Sequence, residues 1–167
     1  IKRNVFRVIN HPNAREISQS VDIFKVSILV LQDAVDFSKT VKIICLFSDD
    51  AYRDYGKEFY AVGYGSDGLV RQHVKMKQST DAFCASFYAK QLHDGNETTF
   101  FCAQIFGNGS PCINDNQLFM KIGPKWYLKG FMSAIDVHAN NSCNALAPVL
   151  YEDIVPFVNW IRENINH

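Results

Sequence analysis

The stretch FCAQIFGNGSPCINDNQLF, residues 101–119, holds the fold in miniature. Two cysteines, Cys102 and Cys112, bracket the turn signal GNGSP at 107–111, and the chain then enters LFMKI at 118–122, a short apolar run of strand length. The same grammar repeats outward in both directions. VFRVI (5–9), VSILVL (26–31), VKIICL (41–46), FYAV (59–62) and WYLKGFM (126–132) are short and rich in β-branched or aromatic residues. Turn residues punctuate them: HPN at 11–13, SDD at 48–50, GYGSDG at 63–68, HDGN at 93–96 and GP at 123–124. This spacing predicts an all-β sandwich or barrel. From Asp153 onward Ile154, Phe157, Val158 and Ile161 fall at helical spacing, with Asp153 as a cap and Pro156 tolerable in a first turn. One terminal helix is expected, with no repeat, low-complexity tract or linker to divide the chain.

At 167 residues, 47% apolar and 20% charged, the chain can bury one core. Seventeen basic residues balance seventeen acidic ones without a same-sign run, which argues against nucleic acid and anionic lipid as partners. The longest apolar stretches, 26–31 and 41–47, are too short to span a bilayer, and a soluble protein is expected. The first residues, IKRNVFRVINHP, lack the pattern of a secretory signal. The five cysteines, at 45, 84, 102, 112 and 143, form no CxxC pair and are not spaced with histidine as zinc would need, so no metal site or cofactor is expected. Asp49-Asp50 lacks the further oxygens of a calcium loop. His11, His73, His93, His138 and His167 read as solvated loop or terminal residues, and the pairs Trp126-Tyr127 and Phe157-Trp160 as core packing. Sequons at Asn96, Asn108 and Asn140, taken with the cysteines, favour a secreted, extracellular, disulfide-bonded glycoprotein. An odd cysteine count leaves one thiol to bond outside the chain.

Five segments together resemble the C-terminal two-thirds of a chymotrypsin-like (trypsin-fold) serine protease domain. FSKTVKIICLF (37–47) is similar to the approach to the family's "CLP" box, and VGYG (62–65) to its "GWG" turn. FCAQIFGNGSPCINDNQLF resembles "CAG…C.GDSGGPL", KWYLKGFMS (125–133) resembles "W.L.GIVS", and NSCNALAPVLYEDIVPFVNWI (141–161) resembles the closing "C…PGVY..V..Y.DWI". The resemblance implies a double six-stranded antiparallel β-barrel ending in an α-helix. Residues 1–167 would be the C-terminal part of that one domain, with the second barrel complete and the first partial. The upstream part is expected on a separate chain or segment.

That resemblance also implies disulfides Cys84–Cys102 and Cys112–Cys143, and a bond from Cys45 to the upstream segment. Phe59 and Ile122 take the positions of a further family disulfide. Aligned from Cys112, the family's GDSGGP reads NDNQLF, which sets Asn116 in the place of the nucleophilic serine. A carboxamide has no hydroxyl or thiol for a histidine to deprotonate. Asn114 replaces a glycine of the oxyanion loop, and Asp115 keeps the acid that in active members pairs with the new amino terminus. The triad's aspartate falls on Lys25 in an ungapped alignment, or on Asp22 if three residues are inserted; the histidine would lie upstream. Ser110 stands at the base of the specificity pocket, Ser133 and Ala134 in its "SWG" wall, and Ile135 and Val149 where the family has glycines, so the slot is expected to be filled. The implied protein is a pseudoprotease. KWYLKGFMS is most like arthropod members, where such domains act in protease cascades and immunity, binding a protease or other component through surface loops. The alternatives are a secreted decoy that binds a host protease or ligand, and an active endopeptidase with an atypical nucleophile.

Overall fold

The computed structural model describes residues 2–12, 26–47, 58–64, 71–93, 100–109, 112–140 and 143–165, with backbone alone at 90, 91, 93, 114 and 115. The chain divides into two compact units, residues 44–156 and residues 1–43 with 157–167.

The larger unit is a closed six-stranded barrel. Its strands are β3 (Glu58–Tyr64), β4 (Arg71–Gln78), β5 (Phe100–Ile105), β6 (Asn114–Ile122), β7 (Lys125–Ala134) and β8 (Val149–Asp153), neighbouring one another in the order β3-β4-β5-β8-β7-β6. Every pairing is antiparallel, and closure leaves no strand edge unpaired. Alternate side chains point inward, so Phe59, Ala61, Met76, Leu118, Met120, Val149 and Tyr151 are all buried. Phe101 joins two of them, 5.9 Å from Phe59 and 5.8 Å from Tyr151 between ring centroids. Ile122 and Lys125 pair across the hairpin at Gly123-Pro124, where Gly123 has φ +56°, a conformation glycine adopts without strain. At Gly130 the backbone of β8 comes so close that an added Cβ would collide with the Glu152 carbonyl oxygen. Only glycine fits there.

One predicted strand did not form. Residues 41–46 are irregular apart from a single parallel bridge from Cys45 to Tyr127, with Cys45 N–H donating to Trp126 O (3.0 Å) and Leu128 N–H to Cys45 O (3.1 Å). At Cys45 the chain runs beside β7 without extending into a strand.

The expectation of a single terminal helix also needs correction, because α1 (Asp81–His93) interrupts the strands. Thr80 caps it, its Oγ1 accepting from Phe83 N–H at 3.3 Å, and Asp81 sits in the first turn where the helix dipole favours an anion. Tyr88 breaks the helical geometry (φ −122°, ψ 29°). Its ring joins Cys84, Cys102 and Leu150 in a buried cluster, and its hydroxyl donates to Pro148 O at 2.7 Å.

The smaller unit contains β1 (Val5–Asn10), β2 (Ser27–Leu31) and α2 (Val158–Ile165). β1 and β2 form an antiparallel ribbon in which Val8 faces Leu29 and Ile9 faces Ile28. The facing pair Val8 and Leu29 is 51% and 57% exposed, and Phe6, in the bulge between Val5 and Arg7, is 74% exposed. A short 3₁₀ turn, Val155–Phe157, leads into α2, and Asp153 caps it as expected, its Oδ1 accepting from Val155 N–H at 3.1 Å.

Three histidines depart from their predicted setting. His11 is half-buried, edge-on to Phe157 (5.0 Å) and Trp160 (4.9 Å), and desolvation holds its pKa below the usual value. His73 lies within β4 and His93 at the end of α1; His138 is exposed, and His167 is outside the described residues. Of the aromatic pairs, Tyr127 does pack, stacked on Phe47 at 5.0 Å, whereas Trp126 is 40% exposed. Strand alternation sends these neighbours to opposite faces.

Candidate functional site

Two disulfides position the region that sequence comparison singled out. Cys84–Cys102 clamps α1 to β5, and Cys112–Cys143 ties the entry to β6 to the loop before β8. Each is worth about 2–4 kcal/mol through the loops it closes. The second loop is further pinned by a bridge from Val137 to Cys143 and by Asn144 Nδ2 donating to Asp136 Oδ2 at 2.8 Å. Cys45 is a free, half-buried thiol.

Asn116 lies inside this frame. It is only 2% exposed, and its carboxamide is bonded at both ends. Nδ2 donates to Ile113 O at 2.8 Å and to Met132 Sδ at 3.1 Å, while Oδ1 accepts from the Tyr151 hydroxyl at 2.7 Å. These are the contacts a buried amide needs, since an unmet polar group there costs about 1–3 kcal/mol. Burial and the nearby Tyr88 raise the Tyr151 hydroxyl pKa well beyond its normal range, so it remains a donor. Burial, then the Asp136 charge, push Tyr88 up to about 12. Neither phenol ionises near neutral pH. Of the groups bonded to Asn116, the ionisable one is the Tyr151 phenol, and it stays protonated near neutral pH.

Ile113 is 1% exposed, Val149 is fully buried, Ala134 and Ile135 are half-buried, and Ser133 is exposed. Ser133 is the extra residue of a bulge where β7 pairs with β8, between Met132 opposite Tyr151 and Ala134 opposite Leu150. Of Asn114 and Asp115 the structure gives the strand backbone of β6, with Asn114 opposite Tyr64. Lys25, Ser110, Asn96 and the alternative Asp22 lie outside the described residues; Asn108 and Asn140 are exposed in loops. Of these positions, the structure bonds Asn116 to Ile113, Met132 and Tyr151, and joins Cys112 to Cys143. Tyr151 and Met132, which complete the Asn116 contacts, escaped the sequence reading, although a tyrosine inside an apolar run signals a hydroxyl in need of a partner.

On the far side of β8 a different charge is buried. Glu152 is 7% exposed, one of its carboxyl oxygens has no hydrogen-bond partner, and burial raises its pKa to about 7. Its neighbour Asp153 takes the nearly buried Lys129 as an ion-pair partner, whose ammonium also lies 4.8 Å from the centroid of Phe101. Among the described residues no cluster of three or more metal-ligating side chains forms, and no helix is long and apolar enough to cross a membrane.

The trypsin family model matches residues 1–161. Among curated proteins, the chain is similar to the CLIP domain-containing serine protease B4 of Anopheles gambiae, 24% identical over 178 residues that cover 99% of this chain and 47% of that protein. The chain thus spans about half the length of that relative. Among solved structures it resembles kallikrein-related peptidase 10 in its complex with Zn2+, with a TM-score of 0.74, 21% identity, and coverage of 98% of this chain and 72% of that one. The closed barrel, the second sheet and the C-terminal helix are the chymotrypsin-like fold, and with the family match running almost end to end the chain belongs to the trypsin family.

Proposed function

We propose that this is a secreted, non-catalytic member of the trypsin family that acts as a regulatory binding module in a protease cascade. The observation that carries the reading is the buried carboxamide of Asn116, bonded to Ile113, Met132 and Tyr151. Aligned on the family's GDSGGP, it occupies the serine's place, and an amide with all its contacts met inside a barrel can neither attack a carbonyl nor be activated to do so. The bulk of Val149, fully buried, and of the half-buried Ile135 supports a filled specificity pocket, because a slot must be empty to admit a side chain. The disulfides favour an oxidising, extracellular setting, and the likeness to a mosquito CLIP-domain protein favours a cascade role. In this reading Cys45 bonds the segment that completes the first barrel, Asn96, Asn108 and Asn140 are glycan acceptors, and the partner is a protease or another cascade component.

The test is covalent. The assembled protein, carrying whatever segment is bonded to Cys45, is treated with a fluorophosphonate probe and assayed on peptide esters. No label and no turnover are expected, and Asn116→Ser should remain equally silent because its hydroxyl would face the barrel interior. Labelling or turnover in the unsubstituted protein overturns the proposal.

A further inference from the structure

β4 carries a row of basic side chains on its outer face. Val74 and Met76 take the inward positions, so Arg71, His73, Lys75 and Lys77 all point outward, and all four are exposed. At roughly 3.4 Å per residue, they recur about every 7 Å. In a protein of zero net charge this is segregation, not excess. Glu58, which faces Lys77 across the β3–β4 pair, is the acid that β3 contributes to this face. No ion pair joins the row to an acid among the described residues; the pair formed there is Lys129–Asp153.

Beside the cations runs an apolar row. Tyr64, Val62 and Tyr60 of β3 stand opposite Arg71, His73 and Lys75 in register. Tyr60 pairs onward with Phe119 of β6 and meets Trp126 edge-on at 5.1 Å. Tyr60, Val62, His73, Phe119 and Trp126, with Ile44 and Lys121, line a groove of about 460 Å³, and an adjoining hollow of about 410 Å³ reaches from Tyr60 and His73 to Phe106 and Asn108. Cations stand by the aromatics at both ends: Lys121 Nζ is 5.8 Å from the Trp126 ring centroid and Lys77 Nζ is 5.7 Å from that of Phe106.

We propose that this face docks an extended acidic–apolar peptide segment of a partner protein. A peptide in strand conformation alternates its side chains with the same period of about 7 Å. With its backbone over the β3–β4 seam, one set of side chains meets Arg71, His73, Lys75 and Lys77 while the other enters the groove at Tyr60, Val62 and Trp126. The match requires acids at alternate positions with apolar residues between them. The apolar floor favours a peptide over a sulfated polysaccharide, which would satisfy the cations and leave the groove unfilled. The surface involves neither Asn116 nor its contacts, so it stands whether or not the chain hydrolyses peptides.

The probe is a fluorescein-labelled heptapeptide alternating glutamate and leucine, titrated into the full chain and read by anisotropy. The control peptide has the same composition with the glutamates in one block, and a heparin-derived oligosaccharide serves as the rival polyanion. The alternating peptide should bind about tenfold tighter than the blocked one, with affinity falling as salt rises. Arg71→Glu/Lys75→Glu should weaken it by a further factor of about ten, and Trp126→Ala by several-fold, with unchanged thermal unfolding showing that the barrel is intact. Equal affinity for the two peptides, indifference to these substitutions, tighter binding of the oligosaccharide, or no saturable binding would each overturn the proposal.

Discussion

The two units of this chain solve the same problem unequally. The barrel closes on itself: all six strands have two neighbours, and Phe59, Leu118 and Tyr151 sit inside at 1% exposure or less. Among the described residues the ribbon of β1 and β2 gains no third strand, and Phe6 and Leu29 are more than half exposed. Apolar content is similar, but what differs is whether enough strands are present to give each apolar face a partner. A two-stranded ribbon is marginal alone in water, whereas six strands in a ring are self-sufficient. Stability in this molecule should therefore be concentrated in residues 44–156.

One substitution made in both units is the strongest way to break that contrast. Leu118→Ala removes a fully buried side chain from the barrel and should cost about 3–4 kcal/mol in chemical denaturation; Leu29→Ala, the same truncation in the ribbon, is the weakest expected effect and is taken up last. Slightly smaller is the loss of a covalent link: Cys84→Ala/Cys102→Ala should lower barrel stability by about 3 kcal/mol and speed amide exchange first in α1 and β5, which that bond joins.

Next comes pH. Glu152 has a raised folded-state pKa, so between its unfolded value and about 7 the folded chain holds more protons than the unfolded one. Its contribution is favourable below the unfolded pKa and is lost as pH rises through about 7. Glu152→Gln should flatten that slope and stabilise the protein at pH 8 by up to about 2 kcal/mol, as followed in thermal melts at pH 5 and 8. If the melting temperature of the Gln variant kept the same pH slope, another group would be responsible. Leu29→Ala should change stability by less than about 0.5 kcal/mol and reduce aggregation, since it trims exposed apolar surface at 57% exposure. A cost near that of Leu118→Ala would show that the ribbon face is covered and that the contrast is mistaken.

Much of this was legible in the sequence, for reasons that particular residues make plain. β3, β6 and β7 announced themselves through aromatic and β-branched runs ending at turn residues, and the family resemblance supplied the cysteine pairings that the structure contains. β4 hid because its outward positions are Arg, His and Lys, residues poor in strand propensity, although its inward Val74 and Met76 keep the period of two. The same spacing concealed its basic character, since alternate basic residues form no contiguous run. β8 hid for the opposite reason: VLYE is buried on both faces, which erases alternation. The helix α1 was missed although Thr80 and Asp81 announce its start, because Phe83, Cys84, Phe87 and Tyr88 do not form one clean apolar stripe. Residues 41–46 failed in the other direction, with strand composition but no free strand edge to join, because the barrel is already closed. At the site, position 116 could be read by alignment, but its bond to Met132 depends on the β6–β7 register and its bond to Tyr151 on β8, distant in sequence, pairing beside β7.

The mounting of Cys45 has a mechanical meaning. Its sulfur is free, yet its backbone is fastened on both sides to β7, through Trp126 O and Leu128 N–H. Anything covalently attached there would be coupled to the barrel wall, and a pull on it would load a closed ring of strands instead of stretching a loop.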